Sequence, residues 1–290
     1  MSVRGIELEL GRLRRASAAA GSSNLRTSVM THLAWVPQEW LDAARETLAG
    51  LAERHPSRTI LLVPDPDAED GIDAEVSLQC FVAEGGAGSV CSEVIELQLR
   101  GRRSAVPASV VVPLLISDLP VFLRWRGRPA FGEEPFGQLV ATVDRLVVDS
   151  EEWADPASAY VQLAGFFERV AVSDIAWARA LEWRRALAGL WPGIAEAGQL
   201  HVTGPRADAL LLAGWLRSRL DVDLGLVHTD AGVVEAVKVD GEEVARPRVA
   251  SVTPSDLLST ELDRFSRDSI YEAAVEAVSS LGFERGRRSV

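Results

Sequence analysis

Two short turns hold residue types that could grip an anion. His55, Ser57 and Arg58 stand in the string His-Pro-Ser-Arg, between an amphipathic stretch and an apolar one. An imidazole, a hydroxyl and a guanidinium there could converge on a phosphate or carboxylate. Thr203-Gly204-Pro205-Arg206 sets Gly204 and Arg206 at a strand end ahead of a helix, and helix amino termini offer unpaired N–H groups to negative charge. Both strings also suit an ordinary helix stop or βα turn. Other chemistries find no counterpart. The one lysine, Lys238, follows a valine, so no Gly-Lys-Ser/Thr phosphate loop exists. Gly85, Gly86 and Gly88 precede a strand pattern instead of a helix, and there is no Gly-x-Ser-x-Gly elbow. The histidines at 32, 55, 201 and 228 lack His-x-His or His-x-x-x-His spacing. The sequence therefore implies no cofactor and no metal.

A second kind of chemistry is recognition. Between Asp174 and Trp191 the chain packs Trp177, Trp183 and Trp191 among Arg179, Arg184 and Arg185. Drawn as one helix, the three tryptophans share a half of the wheel with Ala176, Ala180, Leu181, Leu187 and Leu190. Arg184 falls inside that half, while Asp174, Glu182 and Arg185 fall on the polar face. A buried guanidinium needs a carboxylate, and Asp174 lies too far along the axis to supply it. The partner must come from another element or another chain, and arginine beside tryptophan is the composition of an interaction anchor. On the strand 120–126, Val121, Leu123 and Trp125 alternate with Phe122, Arg124 and Arg126. That alternation turns both arginines to one face, where they could meet a carboxylate-bearing partner or solvent.

The elements that must position these residues mix strands and helices. Residues 26–36, a helix after Pro37 and the run 59–63 read as a βαβ unit. Strands are expected at 75–82 and 90–100, with Ala83 opposite Val90. That register makes Cys80 and Cys91 diagonal neighbours, expected to be two thiols, and puts Glu93 at a rim position. The helix 206–220 is apolar on almost every side and should be buried between layers. The expected fold is α/β: two mixed α/β domains, each a sheet packed with helices. An amino-terminal tail (1–22) precedes one domain (23–150), a second (151–283) opens with two helices, and a tail (284–290) ends the chain. A net charge of −12 argues against nucleic-acid or anionic-membrane partners. The amino terminus lacks the apolar stretch of a secretory signal, no apolar run reaches 18 residues, and a cytoplasmic location is expected.

Five ordered blocks resemble one family: HPSR (55–58), EVIELQLRG (93–101), SVVVPLLISDLPVFLRWRG (109–127), DIAWARALEWRRAL (174–187) and LLAGWLRSRL (211–220). The chain is similar over roughly residues 24 to 282 to the glucose-6-phosphate dehydrogenase assembly proteins, OpcA, of actinobacteria and cyanobacteria, and an actinobacterial source is expected. Arg124 stands where that family often carries a second tryptophan. The resemblance implies a non-catalytic protein that binds glucose-6-phosphate dehydrogenase and favours its active oligomer, in some members as an allosteric activator. The expected contacts are drawn from Arg124, Trp125, Arg126, Trp177 and Arg184. The alternative is an α/β enzyme or sensor holding a phosphorylated metabolite at His55, Ser57 and Arg58 or at Gly204 and Arg206.

Overall fold

The computed structural model describes residues 2–19, 24–25, 28–52, 54–82, 89–220, 222–248, 252–278 and 281. The fold is α/β and divides into two compact units. One comprises Met1–Val148, Arg169–Val172 and Thr253–Phe265; the other comprises Asp149–Glu168, Ser173–Val252 and Ser266–Val290. A linear reading with a single cut at 150 does not anticipate the two later segments that return to the first unit. The expected tail at 284–290 lies outside the described residues.

The first unit is built on an eight-stranded sheet. Its strands are β1 (Asn24–Leu25), β2 (Met30–Trp35), β3 (Ser57–Asp65), β4 (Gly71–Val82), β5 (Ser89–Arg100), β6 (Val121–Trp125), β7 (Arg145–Val148) and β8 (Ala171–Asp174). They run in the order β1-β5-β3-β2-β6-β7-β8, with β4 antiparallel on β5. The chain leaves β2 in one direction through β3 and β5, then returns to add β6 on the other side. The sheet is thus doubly wound, with its switch point between β2 and β6. Every residue of β2 and β6 is buried, the continuous burial expected where helices cover both faces of a parallel sheet.

Helices α1 (Val3–Ala19), α2 (Leu41–Ala49), α3 (Pro107–Val111), α4 (Glu134–Val140) and α9 (Pro254–Leu262) complete the unit. On α2, Leu41 and Ala44 pack on Ala34, Leu61 and Val63. The amino-terminal stretch, expected as a mobile or partly helical tail, forms α1, whose Ile6 and Leu10 are fully buried. The cause is electrostatic as well as apolar. Arg58 donates to Glu93 (2.8 Å) and to Glu7 of α1 (2.9 Å), and Arg14 of α1 donates to Glu93 (2.5 Å). Glu93 is therefore not a rim residue; it is buried between two guanidinium groups.

The β4–β5 register corrects a second expectation. Val82 pairs with Ser89 and Cys80 pairs directly with Cys91, whose Cα atoms are 4.0 Å apart and whose sulfurs are bonded. The expected register is two residues away from this one. A two-residue slip keeps every side chain on its own face, so apolar alternation could not distinguish the two. The six residues of the connection, 83–88, lie outside the described set.

The second unit holds a four-stranded sheet ordered β10-β9-β11-β12, from β9 (Gln199–Gly204), β10 (Asp223–His228), β11 (Ala236–Val239) and β12 (Glu242–Glu243). Its helices are α5 (Pro156–Ala164), α6 (Ile175–Arg179), α7 (Leu181–Ala188), α8 (Arg206–Arg219) and α10 (Ser269–Val278). As its composition predicts, α8 is buried between layers. Leu212 and Leu216 join Leu200, Val202 and Val237 of the sheet, and a Cβ on Gly214 would collide with the Ala274 carbonyl of α10. Among the described residues no helix is long and apolar enough to cross a membrane.

Candidate functional site

The tryptophan–arginine segment is not one helix. Asp174 ends β8 and caps α6 by accepting from the Ala176 amide at 3.0 Å; α6 stops at Ala180, and α7 starts afresh at Leu181. Trp177 and Trp183 are 1% and 2% exposed, their indoles donating to Asp268 (3.0 Å) and to the Val234 carbonyl (2.9 Å). Arg184 lies with its guanidinium 3.3 Å from the Trp177 ring centroid and donates to the Trp177 carbonyl at 2.8 Å. A cation on a tryptophan face that also meets a carbonyl is a stable arrangement, and it supplies a partner the wheel could not show. Trp191 behaves differently. It lies beyond the end of α7 and is 65% exposed, beside Leu190 at 41%. The wheel put Trp191 in the apolar half only because it extended the helix past Ala188.

The carboxylate-paired arginine is Arg179, at the end of α6. It donates from Nη1 and Nη2 to both oxygens of Asp149 (3.1 and 2.9 Å), and from Nε and Nη2 to both oxygens of Asp208 (3.2 and 3.1 Å). Two forked contacts use the planar guanidinium as no lysine could. These acids hold Arg179 firmly charged, its pKa pushed up despite burial. Burial raises the Asp208 carboxyl to about 7, against the opposing pull of Arg179. The geometry favours the ionised pair, because both oxygens accept from the guanidinium.

Asp174 sits in the same unit with no exposed surface. It accepts from the amides of Ser150 (3.1 Å) and Ala176, and from the Tyr271 hydroxyl at 3.4 Å. Burial, with the charge of Asp149, raises its carboxyl to about 7. Tyr160, fully buried, donates to the Ser150 hydroxyl at 2.6 Å, and burial raises its phenol well above the usual value. Displaced carboxyl pKa values mark many active sites. Here Asp174 and Asp208 are sealed from solvent, and the arrangement ties the two ends of α6 and the first turn of α8 to Asp149 and Ser150. Sequence spacing missed this cluster; its only trace is an aspartate at each strand end or first helical turn, Asp149, Asp174 and Asp208.

The remaining predicted residues disperse. Trp125 is 3% exposed and stacks on Trp35 at 4.9 Å, directly beside it in the parallel register. Arg124 is 4% exposed and donates to the Trp125 carbonyl. Arg126, half-buried at the switch point, lies 4.7 Å from the Trp40 ring centroid. The rings of Trp125 and Trp177 thus lie in the core of their units. The His-Pro-Ser-Arg string does not converge on an anion. His55 bonds Ser259 (2.6 Å), Ser57 meets Thr59 (3.2 Å), and Arg58 turns to the opposite face and its glutamates. At the second string, Gly204 serves a close approach: a Cβ there would stand 2.7 Å from Val234 Cα. Arg206 reaches the Ala154 carbonyl at 3.4 Å, and the first amide of α8 past it, Ala207, already donates to the chain's own Glu151.

With these positions fixed, comparison with known proteins is decisive on family. The family model described as glucose-6-phosphate dehydrogenase subunit N-terminal domain matches residues 49–165, and the model for the C-terminal domain matches residues 170–275. The chain belongs to the OpcA family. The first match carries Arg124, Arg126 and Asp149; the second carries the whole segment from Asp174 to Trp191 and Asp208. The OpcA protein of Nostoc punctiforme is 29% identical over 182 residues, covering 59% of this chain and 39% of that protein. The OpcA protein of Synechocystis sp. is 27% identical over 202 residues, covering 65% of this chain and 42% of that one. That of Synechococcus elongatus is 27% identical over 183 residues, covering 59% and 41%. The matched region thus spans well under half of these relatives' length. All three are cyanobacterial and lend the expected actinobacterial source no support.

Proposed function

We propose that this chain is a non-catalytic partner of glucose-6-phosphate dehydrogenase that favours the enzyme's active oligomer, in the cytoplasm and in the pentose phosphate pathway. The observation that carries this reading is the pair of family matches, in order, across both halves of the chain. Such a partner needs no base, nucleophile or metal. It needs only higher affinity for the competent form of the enzyme than for the other.

Within the second unit the proposed anchor is Trp191, exposed and of the type that dominates binding energy at interfaces, with exposed Leu190 beside it. Half-buried Arg184 is a further proposed contact, and Trp177 holds it in place. In the first unit Arg126 is the proposed contact, with Arg124 and Trp125 supporting the strand that carries it. Two observations weigh against the alternative of a phosphorylated-metabolite protein: Arg58 is held by two glutamates, and α8 begins against Glu151.

The test is co-elution of the purified chain with the dehydrogenase, with mass read by light scattering. The expected result is a joint peak that Trp191→Ser weakens by about 30-fold or more, the loss typical of an interface hot spot. Separate elution at every concentration, with both proteins folded, refutes the reading.

A further inference from the structure

A cavity of about 260 Å³ lies in the first unit between α2 and strands β3, β4 and β5. Its floor combines three hydroxyls, Ser57, Thr59 and Ser92, each at least nine-tenths buried, with the apolar side chains of Leu48, Leu51, Ala52, Leu61 and Val94. Its rim carries Arg45, Glu75 and Glu96, with Ser77 on the β4 side.

The floor keeps spare hydrogen-bonding capacity. Ser92 accepts from the Ser57 amide (3.3 Å) and donates to the Ala52 carbonyl (3.2 Å), which leaves one of its two lone pairs open. Ser57 and Thr59 share one hydrogen at 3.2 Å, so one hydroxyl of the pair still has a proton to give. A ligand satisfying these groups must both donate and accept at closely spaced points, as a polyol does. The rim sets the charge. Arg45 is forked onto Glu96 at 2.6 and 3.1 Å, and Glu75 adds a second carboxylate, so the opening is net negative. The volume holds roughly eight waters at about 30 Å³ each, the space of a five- or six-carbon polyhydroxy compound.

From this geometry we infer a binding site for a small neutral polyhydroxy ligand, a sugar or polyol without phosphate. Hydroxyls on the floor take its hydroxyls, and the glutamates at the rim turn phosphorylated analogues away. A phosphate about 5 Å from the net negative charge of this rim is repelled by roughly tenfold in affinity even in water.

The test is isothermal titration of the full chain with D-ribose, sorbitol and ribose 5-phosphate. Expected are dissociation constants in the low millimolar range for the two neutral probes, with ribose 5-phosphate about tenfold weaker than ribose. Ser77→Trp, which fills the cavity from an exposed position on β4, should weaken the neutral probes at least tenfold at an unchanged unfolding midpoint. Glu75→Gln should narrow the gap between ribose and its phosphate. The inference is overturned if neither neutral probe binds at about 50 mM. It is equally overturned if the phosphate binds as well as ribose, or if ribose binding survives Ser77→Trp in a folded protein. Glu75→Gln leaving the gap unchanged would remove the rim's assigned role.

Discussion

Replacing Asp174 by asparagine should change how stability depends on pH, by an amount the structure fixes. Its carboxyl has no exposed surface, and burial with the Asp149 charge raises it from an ordinary value of 3.8 to about 7. The folded chain therefore keeps a proton on Asp174 at pH values where the unfolded chain has lost it. Stability from this group is fully present below 3.8, declines as pH rises between 3.8 and 7, and is gone above 7. At about 1.36 kcal/mol per pH unit, the decline between pH 5 and pH 8 integrates to about 2.5 kcal/mol. Asp174→Asn cannot ionise, yet its side-chain oxygen can still accept from the Ser150 and Ala176 amides. Any loss of the Tyr271 contact is the same at every pH, so it shifts the comparison without tilting it. Urea unfolding of both proteins at pH 5, 6, 7 and 8, at equal m-values, gives the difference directly. The variant should gain about 2.5 kcal/mol on the wild type across that range. A difference that stays flat, or runs the other way, refutes the account of Asp174 as a carboxyl held neutral by burial.

Other perturbations have equally definite outcomes. Arg179→Met leaves Asp149 and Asp208 facing each other without their cation and should cost about 3–5 kcal/mol by denaturant unfolding, partly recovered by adding Asp208→Asn. Gly204→Ala drives a Cβ to within 2.7 Å of the Val234 backbone and should destabilise by about 1–3 kcal/mol, seen as a lower melting temperature. Cys91→Ser opens a cross-link between residues 11 apart and should cost about 3 kcal/mol in non-reducing buffer, with no difference between the two proteins once the wild type is reduced.

Much of the fold is written locally in the chain. The apolar stretch Ile60–Val63 of β3, the mostly apolar β2 and β6, and α8, apolar on almost every side, fix layer and burial from composition, although Thr31, His32 and Arg124 are buried with them. The errors arise where long-range geometry decides. Cys80 and Cys91 meet because the β4–β5 register differs by two residues from one that serves the apolar faces equally well. The amino-terminal helix is held by Glu7 and Arg14 reaching Arg58 and Glu93, partners 51 and 79 positions away. At the candidate site, a wheel drawn through one long helix misplaced both ends. Asp174 belongs to a strand end and is buried; Trp191 lies past the helix and is exposed. The type of chemistry, tryptophan with arginine, was legible, and the break at Ala180 that decides which side chains face solvent was not.

The role proposed for this molecule is to hold glucose-6-phosphate dehydrogenase in its working form. The most direct measurement is the dehydrogenase's rate at subsaturating substrate as the purified chain is titrated in, with wild type and Trp191→Ser run side by side. The account predicts a saturable rise in rate with the wild type, and the same rise displaced to at least about 30-fold higher concentration with the variant. A rate that does not respond to the wild-type chain at any concentration, with the enzyme active and the chain folded, contradicts it.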